Sequence, residues 1–275
     1  LVLFTLEYCL VLSAKFISMS VLEQGKISTS ISESGVAQVE FFHPMSNSMP
    51  GKLLFELAET ITNLSNDKDV LVIVLRSAGD RTFCGGASFD ELVSIQDFET
   101  GKKFFSGFAN VINACRKSTK LIIGRVQGKA VGGGVGLASA TDYCFATKYA
   151  AVKLSELAVG IGPFVVGPAV ARKIGNAAMS QLAINATEFK SAEWALEKGL
   201  YTGIYDSIEE MDAAIEALTY RLSKSNPEAM SMLKKIFWEG TENWDELLLE
   251  RAAMSGKLVL SDFTKNAINA FKTKQ

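Results

Sequence analysis

The run VLVIVLR at 70–76 is almost uninterruptedly apolar. A strand with one wet face alternates apolar and polar residues, so this one needs cover on both faces, as helices supply in a largely parallel sheet. The residues before it provide such a helix. In PGKLLFELAETITNL, Leu53, Leu54, Leu57, Ile61 and Leu64 fall on one face at helical spacing, and Pro50 suits a first-turn position. With VAQVEFF (36–42) ahead of it, this reads as a β-α-β unit.

The order repeats. A helix is expected over 98–117, LIIGRV (121–126) is a strand, AVGGGVGLASA is a turn entering a helix, and DYCFAT is again a strand. Repeated units of this kind predict an α/β domain with a buried parallel sheet. Beyond residue 168 helical signals dominate: Ser191 can cap AEWALEKGL, Ser207 and Glu210 have capping-box spacing, and 241–259 is amphipathic. The predicted organisation is an N-terminal extension (1–18), an α/β body (19–205) and a C-terminal helical region (206–275).

A chain of 275 residues with 48% hydrophobic content can bury one sizeable core. Its 28 basic and 30 acidic residues give a net charge of -2 without a long like-charge run, which argues against nucleic acid or an anionic membrane as the main partner. Cys9, Cys84, Cys115 and Cys144 form no CxxC pair, and a single histidine cannot complete a metal site with them. No metal is expected, and a reducing, cytoplasmic location is. The apolar stretch at 1–18 is interrupted by Glu7, lacks a basic lead and is too short for a membrane span, so it is expected to be an extension outside the functional unit.

Three segments carry chemistry: FCGGASFDEL (83–92), VQGKAVGGGVGLASATDYC (126–144) and KLSELAVGIGPF (153–164). The triple glycine has no Lys-Ser/Thr after it, and GIGPFVVG lacks dinucleotide spacing, so neither nucleotide cradle fits. A hydrolase pairing His43 with Ser88, Ser155 or Cys84 lacks a GxSxG elbow. Glycines instead allow a substrate to approach backbone N–H groups, and a helix start leaves such donors unpaired.

In this order and at these separations the segments resemble the enoyl-CoA hydratase/isomerase (crotonase) family, over roughly residues 25–275. The resemblance implies a spiral of ββα turns with C-terminal helices and assembly as a trimer or dimer of trimers. It implies that the N–H groups of Ala87 and Gly133 hold a thioester oxygen and that Glu156 transfers the proton. Phe83, Cys84, Gly85 and Gly86 would hold coenzyme A largely through the backbone groups of residues 83–87, Gly132 and Gly136 would line the substrate, and Phe271 and Lys274 match a tail that touches coenzyme A. No separate cofactor is implied, because coenzyme A belongs to the substrate. HPMSN (43–47) resembles the family's early turn, making His43 structural, and Asp142 is expected to fix a strand end.

One position departs from the pattern. Hydratases of the family commonly carry a second glutamate where this chain has Gly136. The usual two-carboxylate hydration is then not available, but the GGGVGL and ELAVGIGPF pairing resembles single-glutamate hydratases. The resemblance so implies hydration of a 2-enoyl-CoA, including a branched, methylglutaconyl-like one, with Δ3,Δ2-isomerisation by a single glutamate as the alternative. A non-catalytic acyl-CoA binder is the reading from another class.

Overall fold

The computed structural model describes residues 25–272, with side chains described to residue 270. Strands β1 (Lys26–Ile31) and β2 (Val36–Phe42) form an antiparallel pair. Helix α1 (Gly51–Asn66) then crosses to β3 (Val72–Ser77), which runs parallel to β2 with Val36 opposite Val72. The apolar stripe read in α1 is the buried one: Leu53, Leu54, Leu57, Ile61 and Leu64 all face the core.

From β3 onward each turn of the chain gives one strand to each of two sheets. β4 (Thr82–Cys84), the short α2 (Phe89–Ser94) and the long α3 (Phe98–Lys117) lead to β5 (Leu121–Val126). β6 (Lys129–Val131) and α4 (Gly133–Ser139) lead to β7 (Tyr143–Thr147), followed by β8 (Val152–Lys153). The large sheet is completed by β9 (Gly203–Tyr205) in the order β1-β2-β3-β5-β7-β9, while β4, β6 and β8 make a smaller parallel sheet. The β1 strand, the β9 strand and the small sheet are additions to the sequence reading. The strands of two or three residues carry too few side chains to show a period, and β1, KISTSI, is exposed along almost its whole length and so shows no apolar alternation.

The helices after β8 are α5 (Gly167–Ile184), α6 (Ala192–Glu197), α7 (Ile208–Ser223), α8 (Pro227–Phe237), α9 (Trp244–Leu258) and α10 (Asp262–Lys272). Ser191 and Ser207 cap α6 and α7 by accepting the Trp194 and Glu210 N–H groups. The Glu210 side chain reaches the N–H of Asp206 and not that of Ser207, so the box is displaced by one residue. α6 also stops earlier than AEWALEKGL suggests, because Gly199 turns into the left-handed region at φ 84°.

Asp142 does more than close a strand. Its carboxylate accepts from the Ile122 N–H at 2.7 Å, from Lys234 Nζ at 2.7 Å and from Trp238 Nε1 at 2.9 Å. Both ionic side chains are almost fully buried, so the pair ties α8 to the sheet. HPMSN folds as a turn with Ser46 and Asn47 at positive φ, and Asn47 Nδ2 donates to the Ala78 and Thr82 carbonyls. His43 Nδ1 lies 3.0 Å from Ser48 Oγ and accepts the Met45 N–H, a structural arrangement. No helix among the described residues is long and apolar enough to cross a membrane.

Candidate active site

Two glycine turns approach each other where the small sheet ends. Met49 uses both its backbone groups on the residues flanking Ala87, donating to the Gly86 carbonyl at 2.8 Å and accepting from the Ser88 N–H at 3.2 Å. In a parallel bridge of this kind the middle residue's own groups face the other way. The Ala87 N–H is thereby left for the cavity that Ala87 lines. Gly86 sits at φ 93°, and a Cβ there would meet the Val131 carbonyl at 2.9 Å and the Gly133 nitrogen at 3.6 Å. Only glycine lets the two turns come this close.

Gly133 is the first residue of α4, so its N–H belongs to the first turn that the helix leaves without an internal acceptor. The preceding Gly132 (φ 52°) fixes the entry by donating to the Lys153 carbonyl at 2.8 Å. Two backbone donors from different loops therefore line one cavity, an arrangement able to hold an oxyanion.

Glu156 begins a 3-10 turn, Glu156–Val159, directly after β8. Its carboxyl is packed over Gly132: a Cβ on that glycine would lie 3.0 Å from Glu156 Oε1. Oε2 is closed off from solvent and has no hydrogen-bond partner among the described residues, although the residue as a whole is partly exposed. Burial pushes the carboxyl up to about 7, opposed only by a hydrogen bond from its own backbone N–H. A carboxyl so tuned can take and return a proton near neutral pH. The turn ends at Gly160 (φ 80°), whose missing Cβ leaves room for Phe263 and Thr264 of α10. The C-terminal region thus presses on the loop that aims Glu156.

Of the remaining expected site residues, Gly85, Gly86 and Gly132 line the cavity with Ala87, Gly133 and Glu156. Phe83 and Cys84 do not; both side chains are fully buried in the core. The Cys84 thiol is pushed up to about 12 by burial, despite the Gly86 N–H it accepts, which removes it as a nucleophile. Ser88 caps α2, and His43 lies outside the cavity lining. Gly136 is also set back from the cavity, in the interior of α4. A Cβ there would lie 2.4 Å from Val166 Cγ1, so a side chain at the position of the second glutamate would have to displace Val166. The Phe271 side chain and Lys274 lie outside the described residues.

The sequence reading placed the pocket walls around 90–110 and in the tail without naming their residues. Phe105 and Phe108 of α3, Phe164 and Val166 before α5, and Ser255 of α9 all line the cavity. In the sequence Phe105 and Phe108 are ordinary core-forming residues of a helix, Phe164 and Val166 stand in a loop and Ser255 is a small helical residue, and only packing shows that they meet one cavity.

The family profile described as enoyl-CoA hydratase/isomerase matches residues 32–275, and the chain belongs to this family. It is 28% identical over 246 residues to the short-chain-enoyl-CoA hydratase of Clostridium acetobutylicum, covering 88% of this chain and 93% of that one. It is 27% identical to the ethylmalonyl-CoA decarboxylase of Gallus gallus, covering 79% and 74%. The solved enoyl-CoA hydratase of Bacillus halodurans superposes with a TM-score of 0.81 at 21% identity, over 89% of this chain and 99% of that one. The fold is accordingly the crotonase-like α/β fold read from the sequence.

Proposed function

We propose that the chain is an enoyl-CoA hydratase that works with one carboxylate. The observation carrying this reading is the Glu156 carboxyl, shut into an apolar cavity beside the two oxyanion donors and poised near neutral pH. The thioester oxygen of a 2-enoyl-CoA would accept from the Ala87 and Gly133 N–H groups, drawing charge out of the double bond. Glu156 as carboxylate takes a proton from water while the water oxygen bonds to Cβ. The enolate electrons then collect that proton from Glu156 at Cα, which returns the carboxylate and yields the 3-hydroxyacyl thioester. The hydratase names among its relatives support the direction.

Gly136 favours a second reading. With Val166 filling the place of a second carboxylate, Glu156 alone would have to hold the water. In Δ3,Δ2-isomerisation it only carries a proton from Cα to Cγ. Incubation of 2-enoyl-CoA and 3-enoyl-CoA in oxygen-labelled water separates the two. Label in a 3-hydroxyacyl product supports hydration; rapid 3-to-2 conversion with no labelled product, across acyl chains, replaces it with the isomerase. A third, purely binding role fits poorly, since a buried carboxyl without a partner costs stability that binding alone does not require.

We also propose assembly as a trimer or dimer of trimers, in which the C-terminal tail completes the coenzyme A site. Light scattering checks this, and a monodisperse monomer would contradict it.

A further inference from the structure

The cavity that contains Glu156 is closed at one end by two helices. Phe105 and Phe108 of α3 form one wall, and Ser255 of α9, 1% exposed, is the contribution of the C-terminal region. Its neighbour Gly256 meets α3 backbone to backbone. A Cβ on Gly101 would lie 3.0 Å from the Gly256 carbonyl oxygen, and one on Gly256 would lie 2.5 Å from the Lys102 nitrogen. Helices in such contact leave no channel between them through which an acyl chain could continue.

Phe108 marks the other end, because its ring lies against Gly133: a Cβ on that glycine would be 2.2 Å from Phe108 Cε1. Gly101 and Phe108 are separated along α3 by about 10 Å at the helical rise. The cavity that the oxyanion turns, Glu156 and Ser255 line together is small, about 60 Å³.

The walls also select by charge. Apart from Glu156, the polar side chains that line the cavity among the described residues are the hydroxyls of Ser155 and Ser255, with no Lys, Arg or His. A carboxylate at the far end of an acyl group would be buried without a cation, in the same cavity as Glu156.

We infer that the cavity takes a short, uncharged acyl group, with Ser255 at the closed end setting the length limit. The inference rests on the cavity being the acyl site of an acyl-CoA, and it excludes a methylglutaconyl-like substrate. It is independent of which reaction follows.

Saturated thioesters test it without turnover. Calorimetric titration of the purified protein with butyryl-CoA, decanoyl-CoA and glutaryl-CoA is expected to give at least about tenfold tighter binding of the first, the scale set by pocket fit. Ser255→Leu is expected to weaken hexanoyl-CoA at least about fivefold more than butyryl-CoA, with Ser255→Thr as the milder variant where circular dichroism shows the first misfolded. Equal affinity for all three thioesters, or an unchanged hexanoyl-to-butyryl ratio in a folded variant, overturns the inference. The expected binding order in a protein that hydrates no enoyl-CoA would reject the proposed reaction and sustain the pocket.

Discussion

Val166 occupies the space that a side chain on Gly136 would need, with 2.4 Å between its Cγ1 and the position of a Cβ on that glycine. The loss of the second glutamate is therefore built into the packing of α4 against the start of α5. Gly136→Glu is expected to destabilise the fold by at least about 1–3 kcal/mol, the usual cost of overpacking a core, and not to raise hydration. Thermal unfolding and a hydration assay check both parts. A stable, more active variant would show that the cavity tolerates a second carboxylate.

Glu156 should govern the pH profile. Its carboxyl is raised from 4.5 to about 7, so the folded protein holds a proton that the unfolded chain has released between these values. The stability this proton provides is complete below about pH 4.5 and is lost as pH rises through about 7. At about 1.4 kcal/mol per pH unit the loss amounts to about 3 kcal/mol. Glu156→Gln is expected to remove this part of the dependence in denaturant titrations, while cutting turnover at least about a hundredfold.

The Phe108 ring against Gly133 separates two roles of that glycine. Gly133→Pro deletes the N–H and is expected to lower turnover about a hundredfold or more. Gly133→Ala keeps the N–H but drives a Cβ into the ring. Combining it with Phe108→Ala should therefore recover most of the activity that the alanine alone loses, whereas no second substitution should rescue the proline. Steady-state rates on folded variants, verified by circular dichroism, decide this.

Asp142 joins β5, α8 and Trp238 through one buried carboxylate. Replacing it with alanine strands Lys234 in the interior, which is 1% exposed. The expected cost is about 3–5 kcal/mol, read by denaturant unfolding, with KM for acyl-CoA unchanged in the fraction that folds. A stability change below about 1 kcal/mol would mean that Lys234 finds water or another acceptor.

Much of the scaffold was legible before any coordinates. The stripe of Leu53, Leu54, Leu57, Ile61 and Leu64 and the doubly covered strand behind it are local patterns, and a local pattern determines an element whenever its period is long enough to repeat. The two glycine turns and Glu156 were legible for another reason: each needs a residue type that few other roles demand at that spacing. What tertiary structure alone decided is how these pieces face one another. Phe83 and Cys84 belong to the chemical motif yet point into the core, while Phe105, Phe108, Val166 and Ser255, from segments up to about one hundred and fifty residues apart, share one cavity. The sequence could report that Gly136 is not a glutamate; only the tertiary structure shows Val166 packed where its side chain would go. Side-chain direction and long-range proximity arise from the closure of the whole core, and no window along the chain contains them.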